Sequence, residues 1–509
     1  MSEEIELGGI KVPAADLEAT PESIKLVLKF LLEERKQTLA KIEALEERVN
    51  KNSKNSSIPP SKNGFGVKNS HKVTAKRKPL KLQSRRVKQE RKLYEVADCV
   101  ATHEFKPSNC SSCGYELTGE DSHPKRHQIV DLPVLKPLIT EYRLHQLECE
   151  HCGGRTRASL PSFISPKCYG ARLAAFVAML SGESRQSHRQ VKTFLSQVFG
   201  IELARGTINR MRQEISSAVA AATTEAMEFT KQQPVVNCDE TGFSQQNKDG
   251  ENPSQKKAWL WVLVTPLVSV FMVTLSRSQD IAKELIGESF LGYLGSDRYS
   301  SYGWVKTDLR QLCWSHLLRD FQAISERSGV SQEIGLALLA RGYRLFHWWH
   351  RVRDGTLERE LFVEAVTLLR VGFHQELLSA AAIEIGSKET TPLAKTVRTC
   401  RKLLQVESAL WTFVYHESIE PTNNSAERAL RSAVIWRNLS FGSQSSEGSK
   451  FVARMLTVNC SLKAQGRSIL DFLTESCIAA RLGLETPSLI PLTQDEHVCV
   501  PPSTTLILS

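Results

Sequence analysis

Outside one short segment, this chain has almost no net charge. Between Lys51 and Glu95, 14 lysines and arginines face only Glu90 and Glu95, a local excess of +12. The whole chain carries +10, so all other residues together sum to about −2. That excludes a generally basic surface. The basicity belongs to a segment, which points to an arm that binds a polyanion; the plain alternative is a solubilising linker. A secretory leader is also missing, because MSEEIELGG opens acidic and has no apolar core. Twelve cysteines without such a leader predict a reducing, cytoplasmic setting. Nor is there a run long enough to span a membrane. AWLWVLVTPLVSVFMVTL, residues 258–275, carries no charge. It falls just short of the roughly 20 residues a spanning helix needs. It is rich in Val and Trp and broken at Thr265-Pro266, so it predicts two buried strands joined by a turn.

What is present divides the chain into several parts, because 509 residues exceed one core. In residues 1–50, Leu28, Leu32, Leu39, Ile42 and Val49 fall close to an a/d pattern, interrupted at Arg35 and Glu46. They predict a coiled-coil-like, self-associating helix over 22–49; the alternative is an amphipathic helix packed on its own protein. Residues 51–98 form the basic linker, rich in Asn, Ser, Gly, Pro and Lys. Such a composition cannot bury enough apolar area to order itself, so disorder is expected until a phosphate backbone arrives. Its DNA-binding candidates are Lys76, Arg77, Lys78, Arg85 and Arg86. Residues 99–165 hold Cys110-x-x-Cys113 and Cys149-x-x-Cys152, separated by 35 residues. Four thiolates from two such turns suit a closed structural Zn²⁺ site, although the gap exceeds the common ribbon spacing. LITEYRLHQLEC between them alternates like a strand.

Residues 166–232 read as helical. RQVKTFLSQVFGIELARGTINRMRQEI has the outline of a helix-turn-helix, turning near Gly200. Arg205, Thr207, Asn209, Arg210 and Arg212 lie near its second helix; plain bundles share this outline. Residues 233–332 change grammar: three strands, a helix, two strands and a helix. That order predicts a ribonuclease-H-like core. Residues 333–415 read as an all-α insertion, and 416–485 complete the core with a helix opening at Asn423 or Asn424. Residues 486–509, rich in Pro, Thr and Ser, are expected to be loose. The fold class is thus a multidomain α/β protein.

VVNCDETGF raises the chemical question: why should an apolar strand run into two carboxylates? Asp239 ends the first strand, Asp297 ends the fourth, and Glu427 arrives on the late helix. In this strand order the first two ends are neighbours. Like charges at contact repel unless a cation lies between them. Oxygen ligands suit Mg²⁺ or Mn²⁺, and a pair of such ions about 3.5–4 Å apart serves in-line phosphoryl displacement. Glu240 must point to the opposite face from Asp239, towards supporting contacts or solvent. Arg428 and Arg431 follow Glu427; Arg431 is placed to orient that carboxylate, bind a phosphate or make a plain helical salt bridge. Cys313-x-x-His316 is too small a set for zinc alone and reads as a buried thiol and imidazole.

These residues resemble the insertion-sequence-66 family of bacterial transposases. The resemblance rests on NSSIPPSKNGF, CSSCG with CEHCGG, CDETGF, LGSDRYSSYGW, CWSHLLRDF, and PTNNSAERALR leading into RNLSFGSQSSEGSKFVARM. It implies a DDE transposase with the triad Asp239, Asp297 and Glu427, and a supporting role for Cys313 and His316. It also implies double-stranded DNA, element ends and target, as partner, acting near the bacterial nucleoid. The zipper-like helix would support a multimer of at least two copies, and small companion proteins of the element are possible partners. The implied activity is metal-dependent strand cleavage followed by strand transfer. The rival readings are a DNA-binding descendant with a silent site, and a stand-alone ribonuclease-H-like nuclease.

Overall fold

The structure, a computed structural model, describes residues 92–491 and the short stretches 4–7, 10–13, 20–21 and 24–25. The zipper-like segment beyond Ile24 and Lys25, the arm with Lys76, Arg77, Lys78, Arg85 and Arg86, and the tail from 492 lie outside the described residues. Strands β1 (Glu4–Leu7) and β2 (Ile10–Pro13) pair antiparallel.

From 92 to 170 no residue is buried. The only strands there are β3 (Gln146–Glu148) and β4 (Arg155–Arg157), an antiparallel pair around the second cysteine turn. The strand expected over 138–149 is therefore reduced to its last three paired residues. The alternating positions before them have no partner strand and no core to face.

Four helices follow: α1 (Ala171–Gly182), α2 (His188–Phe199), α3 (Arg205–Ala218) and α4 (Ala220–Lys231). The start and stop of α2 are written locally. Ser187 and Gln190 form a reciprocal capping box, and Gly200 closes the helix with φ +66°. Val191, Leu195, Ile208, Met211 and Ile215 turn the α2–α3 pair inward. Arg205 and Arg210 are exposed. Arg212 does not join them: its guanidinium lies 4.1 Å from the Phe451 ring centroid, within the protein.

A five-stranded sheet then forms from β5 (Val235–Phe243), β6 (Ala258–Val264), β7 (Ser269–Thr274), β8 (Tyr293–Ser296) and β9 (Arg310–Leu312). Its order is β7-β6-β5-β8-β9. β6 runs antiparallel to both β5 and β7, while β8 runs parallel to both β5 and β9. The uncharged 258–275 run is the β6–β7 hairpin, closed by Thr265 N–H donating to Val268 O at 2.8 Å. No helix among the described residues is long and apolar enough to cross a membrane.

Helix α5 (Gln279–Ile286) links β7 to β8, and α6 (Trp314–Ser325) follows β9. Helices α7 (Val330–Arg353), α8 (Arg359–Ala382), α9 (Pro392–Gln405) and the single turn α10 (Thr412–Tyr415) then pack with α6 around Trp314, Phe321, Phe373 and Trp411. The sheet shares a separate core with α1–α5, α11 (Asn424–Ser440), α12 (Ser446–Ala464) and α13 (Ile469–Leu482).

The outer edge of β7 is covered by α12. Ser269 and Phe271 donate their N–H groups to Ser461 Oγ at 3.0 Å and Thr457 Oγ1 at 2.9 Å. These hydroxyls, four residues apart on one helix face, satisfy donors that an edge strand would otherwise leave unpaired. The double variant Thr457→Val, Ser461→Ala is expected to lose about 2–6 kcal/mol, since each of the two buried orphans costs about 1–3 kcal/mol. Urea unfolding checks this; an unchanged midpoint would show that the edge does not depend on the helix.

The expected looseness from 486 needs correction for 486–491. Leu489 is buried, and its carbonyl accepts from Gln465 Nε2 at 2.9 Å. Arg467 Nη2 holds Ser488 O at 3.0 Å.

Candidate active site

Register places the first two carboxylates. In the parallel β5–β8 pair, Asn237 lies opposite Gly295. Two residues further along come Asp239, within β5, and Asp297, one residue past the end of β8. Neighbouring strands are about 4.8 Å apart. Gly295 leaves room for the Asn237 side chain, whose Oδ1 would lie 2.1 Å from a Cβ there. Asp239 Oδ1 accepts the N–H of Glu240 at 2.9 Å, and Asp297 Oδ1 accepts the N–H of Tyr299 at 2.8 Å.

Helix α11 brings the third carboxylate across the same face of β5. The sequence reading made Asn423 or Asn424 a capping residue. The helix does start there, but Asn423 makes no side-chain cap. Its Nδ2 instead donates to Cys238 O at 2.8 Å. Near the other end, Arg437 Nη1 donates to Thr241 Oγ1 at 3.0 Å and also to Gly242 O. The helix is thus pinned to β5 on either side of Asp239. Glu427, whose N–H bonds to Asn423 O at 3.1 Å, projects from its first turn.

Asp239, Asp297 and Glu427 do not bring three oxygens within 4.8 Å of one another, but the other two charges reach Asp239. Burial pushes the Asp239 carboxyl well above its ordinary range, reinforced by the negative charges of Glu240, Asp297 and Glu427. Without a cation the folded state therefore retains a proton that an unfolded Asp loses near pH 4. Stability from this group is present below that pH and is lost as pH rises through the raised folded value. Asp239→Asn is accordingly expected to raise the melting temperature in EDTA at about pH 8 and to change it little near pH 4. Equal shifts at both pH values would count against it.

Glu240 is not solvent-facing. It lies on the buried face of β5, where Arg277 Nε donates to it at 2.8 Å and Tyr302 OH donates as well. Burial still raises its pKa, opposed chiefly by the Tyr302 bond and then by Arg277, with Asp297 adding repulsion. The Arg277 guanidinium stacks 3.5 Å from the Tyr299 ring centroid and 4.5 Å from that of Trp259. Its carbonyl accepts from Ser301 Oγ at 2.7 Å and from Tyr299 OH at 3.2 Å. Arg277 therefore fixes the loop that carries Asp297. On the same loop, Arg310 Nη2 reaches Asp297 O at 3.1 Å.

Arg431 does not orient Glu427. Arg428 and Arg431 are exposed, and among the described residues neither makes an ion pair. The groups near Glu427 Oε1 are His316 Nδ1 at 3.5 Å and Arg319 Nη2 at 3.7 Å, both from α6. Neither contact is a hydrogen bond, so Glu427 Oε1 and His316 Nδ1 remain buried without one. Cys313, buried at the N-terminus of α6, accepts the Asn423 N–H at its sulfur at 3.2 Å. Arg319 lies within CWSHLLRDF, but only the convergence of α6 with α11 shows that it faces Glu427.

The two cysteine turns are built alike. Gly114 N–H bonds to Cys110 O and Gly153 N–H bonds to Cys149 O, each at 2.8 Å. Both glycines have positive φ, +77° and +70°, which glycine adopts without strain. Backbone N–H groups of Ser112 and Cys113 lower the Cys110 thiol pKa, and those of Cys152 and His151 lower that of Cys149. Each turn is thus suited to present thiolates. The structure does not gather Cys110, Cys113, Cys149 and Cys152: no three of their sulfurs lie within 4.8 Å of one another.

A family profile described as "Transposase IS66 family" matches residues 167–451, more than half of the chain. The chain belongs to that family of transposases, which implies DNA as a partner. Residues 11–95 match a family of unknown function. The uncharacterized protein y4qI of Sinorhizobium fredii is 25% identical over 400 residues, which cover 73% of this chain and 70% of that protein.

Proposed function

We propose that this chain is the strand-cutting and strand-joining enzyme of an insertion sequence. It binds the element's terminal repeats and acts through Asp239, Asp297 and Glu427. The observation that carries this reading is the β5–β8 register, which sets Asp239 and Asp297 two residues beyond its last pair, beneath the helix bearing Glu427. The strand order, with three antiparallel strands and two parallel ones beyond them, supports a ribonuclease-H-like core. The carboxylates suit Mg²⁺ or Mn²⁺: burial, reinforced by the neighbouring negative charges, raises the Asp239 pKa, and Glu427 Oε1 makes no hydrogen bond. When bound, such ions supply charge stabilisation to an in-line phosphoryl displacement.

The protein's own part is positioning. Asp239 and Asp297 hold one side of the centre and Glu427 the other. Arg277 and Arg310 keep the Asp297 loop in place. Arg428 and Arg431, exposed just beyond Glu427, are free to bind DNA phosphates. A cleft lined by Lys256, Lys257 and Arg437 continues along β5 past Gly242 and extends that basic track. Exposed Arg205 and Arg210, together with the basic arm, would add end-binding contacts. A structural Zn²⁺ drawing the two cysteine turns together would order residues that lack a core.

The test is cleavage of a labelled duplex carrying the element's end, with Mg²⁺ and with EDTA, by wild type and Asp239→Asn. Metal-dependent nicking at the boundary, lost in the variant, is expected. End binding without nicking, with companion proteins present, would instead favour the silent descendant.

A further inference from the structure

Three potential ligand atoms of different chemistry meet beside the proposed Mg²⁺ centre. Cys313 Sγ, a ring nitrogen of His316 and a carboxylate oxygen of Glu427 all lie within 4.8 Å of one another, and they are the only such group among the described residues. Cys313 immediately precedes α6, and His316 is three residues on, on the same helix face. Glu427 comes from the first turn of α11. The two helix starts are tied together by Trp314 N–H donating to Pro421 O at 2.9 Å and by Asn423 N–H donating to Cys313 Sγ at 3.2 Å.

Two of these atoms lack partners. His316 Nδ1 and Glu427 Oε1 are buried and make no hydrogen bond, although they lie 3.5 Å apart. Buried polar atoms in native proteins are nearly always satisfied, and an ion is one of the few things that can satisfy both. We propose that Cys313, His316 and Glu427 form a site for a thiophilic divalent cation of the Zn²⁺ type. The site shares Glu427 with the proposed all-oxygen centre and is separate from the cysteine turns.

The donor set fits such an ion. A thiolate and an imidazole favour Zn²⁺ over Mg²⁺, which prefers oxygen. With Zn–S and Zn–N bonds of about 2.3 and 2.0 Å, ligands of a tetrahedral site lie about 3.3–3.6 Å apart, and His316 Nδ1 and Glu427 Oε1 already lie 3.5 Å apart. Binding replaces the thiol proton of Cys313, and the Asn423 N–H already points at the sulfur as an outer-shell donor. One thiolate and one carboxylate balance the dication, so Arg319, 3.7 Å from Glu427 Oε1, need not be expelled. Three protein ligands leave a fourth position open.

A consequence rests on the proposed function: Glu427 cannot serve both centres fully, so a thiophilic ion held here withdraws it from Mg²⁺. Trace Zn²⁺ would then act as a brake on strand cleavage.

The test uses the full chain with Cys110, Cys113, Cys149 and Cys152 replaced by Ser, stripped of metal and titrated with Co²⁺. One Co²⁺ per chain is expected, with a sulfur-to-cobalt charge-transfer band and tetrahedral ligand-field bands. Adding Cys313→Ser should abolish the charge-transfer band, and Glu427→Gln should weaken binding at least tenfold. No sulfur band at millimolar Co²⁺, or a band that survives Cys313→Ser, overturns the site. Should the fourfold variant fail to fold, native mass spectrometry of Zn²⁺-loaded wild type and Cys313→Ser serves instead. One ion fewer in the variant supports the site, and equal stoichiometry overturns it. Cobalt spectra need no cleavage, so failure here is distinct from failure of the transposase reading, which is scored by Mg²⁺-dependent nicking.

Discussion

Glu427→Gln is expected to lower Mg²⁺-dependent nicking of the element's end about a thousandfold or more. Removing one anionic ligand from a phosphoryl-transfer centre withdraws several kcal/mol of charge stabilisation, and each 1.36 kcal/mol is tenfold in rate. Affinity for the duplex end should be retained, because Glu427 projects from the first turn of α11 whereas Arg428 and Arg431 remain exposed beside it. The same preparation reports both quantities, by gel-shift and by nicking. Nicking at the wild-type rate would remove Glu427 from the triad. A parallel loss of binding and cleavage would instead mean that α11 had lost its place on β5, which Asn423 and Arg437 maintain.

Arg277→Met is expected to be the most damaging substitution remote from the three carboxylates. The Glu240 side chain is 0% exposed, and Arg277 is its only ion-pair partner among the described residues. Breaking a buried pair from one side leaves an uncompensated charge and costs about 3–5 kcal/mol. The Arg277 side chain is itself 28% exposed, which favours the lower end. Burial already raises the folded pKa of Glu240. Losing the guanidinium raises it further, so the variant's deficit should grow as pH rises above the ordinary Glu value of about 4.3. Pairing Arg277→Met with Glu240→Gln should recover part of the loss, and thermal unfolding across pH reads all three proteins. A single variant as stable as wild type, or a deficit that shrinks with rising pH, would count against the pair's role. Cleavage should fall too, because Tyr299 of the Asp297 loop stacks on the Arg277 guanidinium.

Much of the sheet was legible because its strands are short, apolar and punctuated. VVNCDETGF, the two halves of 258–275, LGYLGSD and RQLCW all contain strands where periodicity placed them. Alternation along β5 sends Asp239 and Glu240 to opposite faces, as expected. That Glu240 is buried against Arg277 was not legible, because 37 residues and a hairpin separate the two. Arg212 looked like a DNA contact from its place in the second helix. Its burial depends on Phe451, which arrives more than two hundred residues later. The Cys313-x-x-His316 spacing was visible as a motif, but its third neighbour, Glu427, is supplied by tertiary structure alone. The strand expected between the cysteine pairs shortened because alternation without a partner strand has nothing to hold it.

The helical excursion from Cys313 to Asn423 returns to the place it left. Its first and last residues touch, through the Cys313 sulfur and the Asn423 N–H, and Leu410 O is held from below by Gln311 and Trp314. It has an apolar interior of its own. A loop closed at its base is nearly indifferent to how much chain it contains, since doubling its length costs only about 0.6 kcal/mol. Evolution is therefore free to lengthen, trim or exchange this excursion while Asp297 and Glu427 keep their separation in space. The number of residues between them therefore sets no condition on how the two carboxylates are spaced.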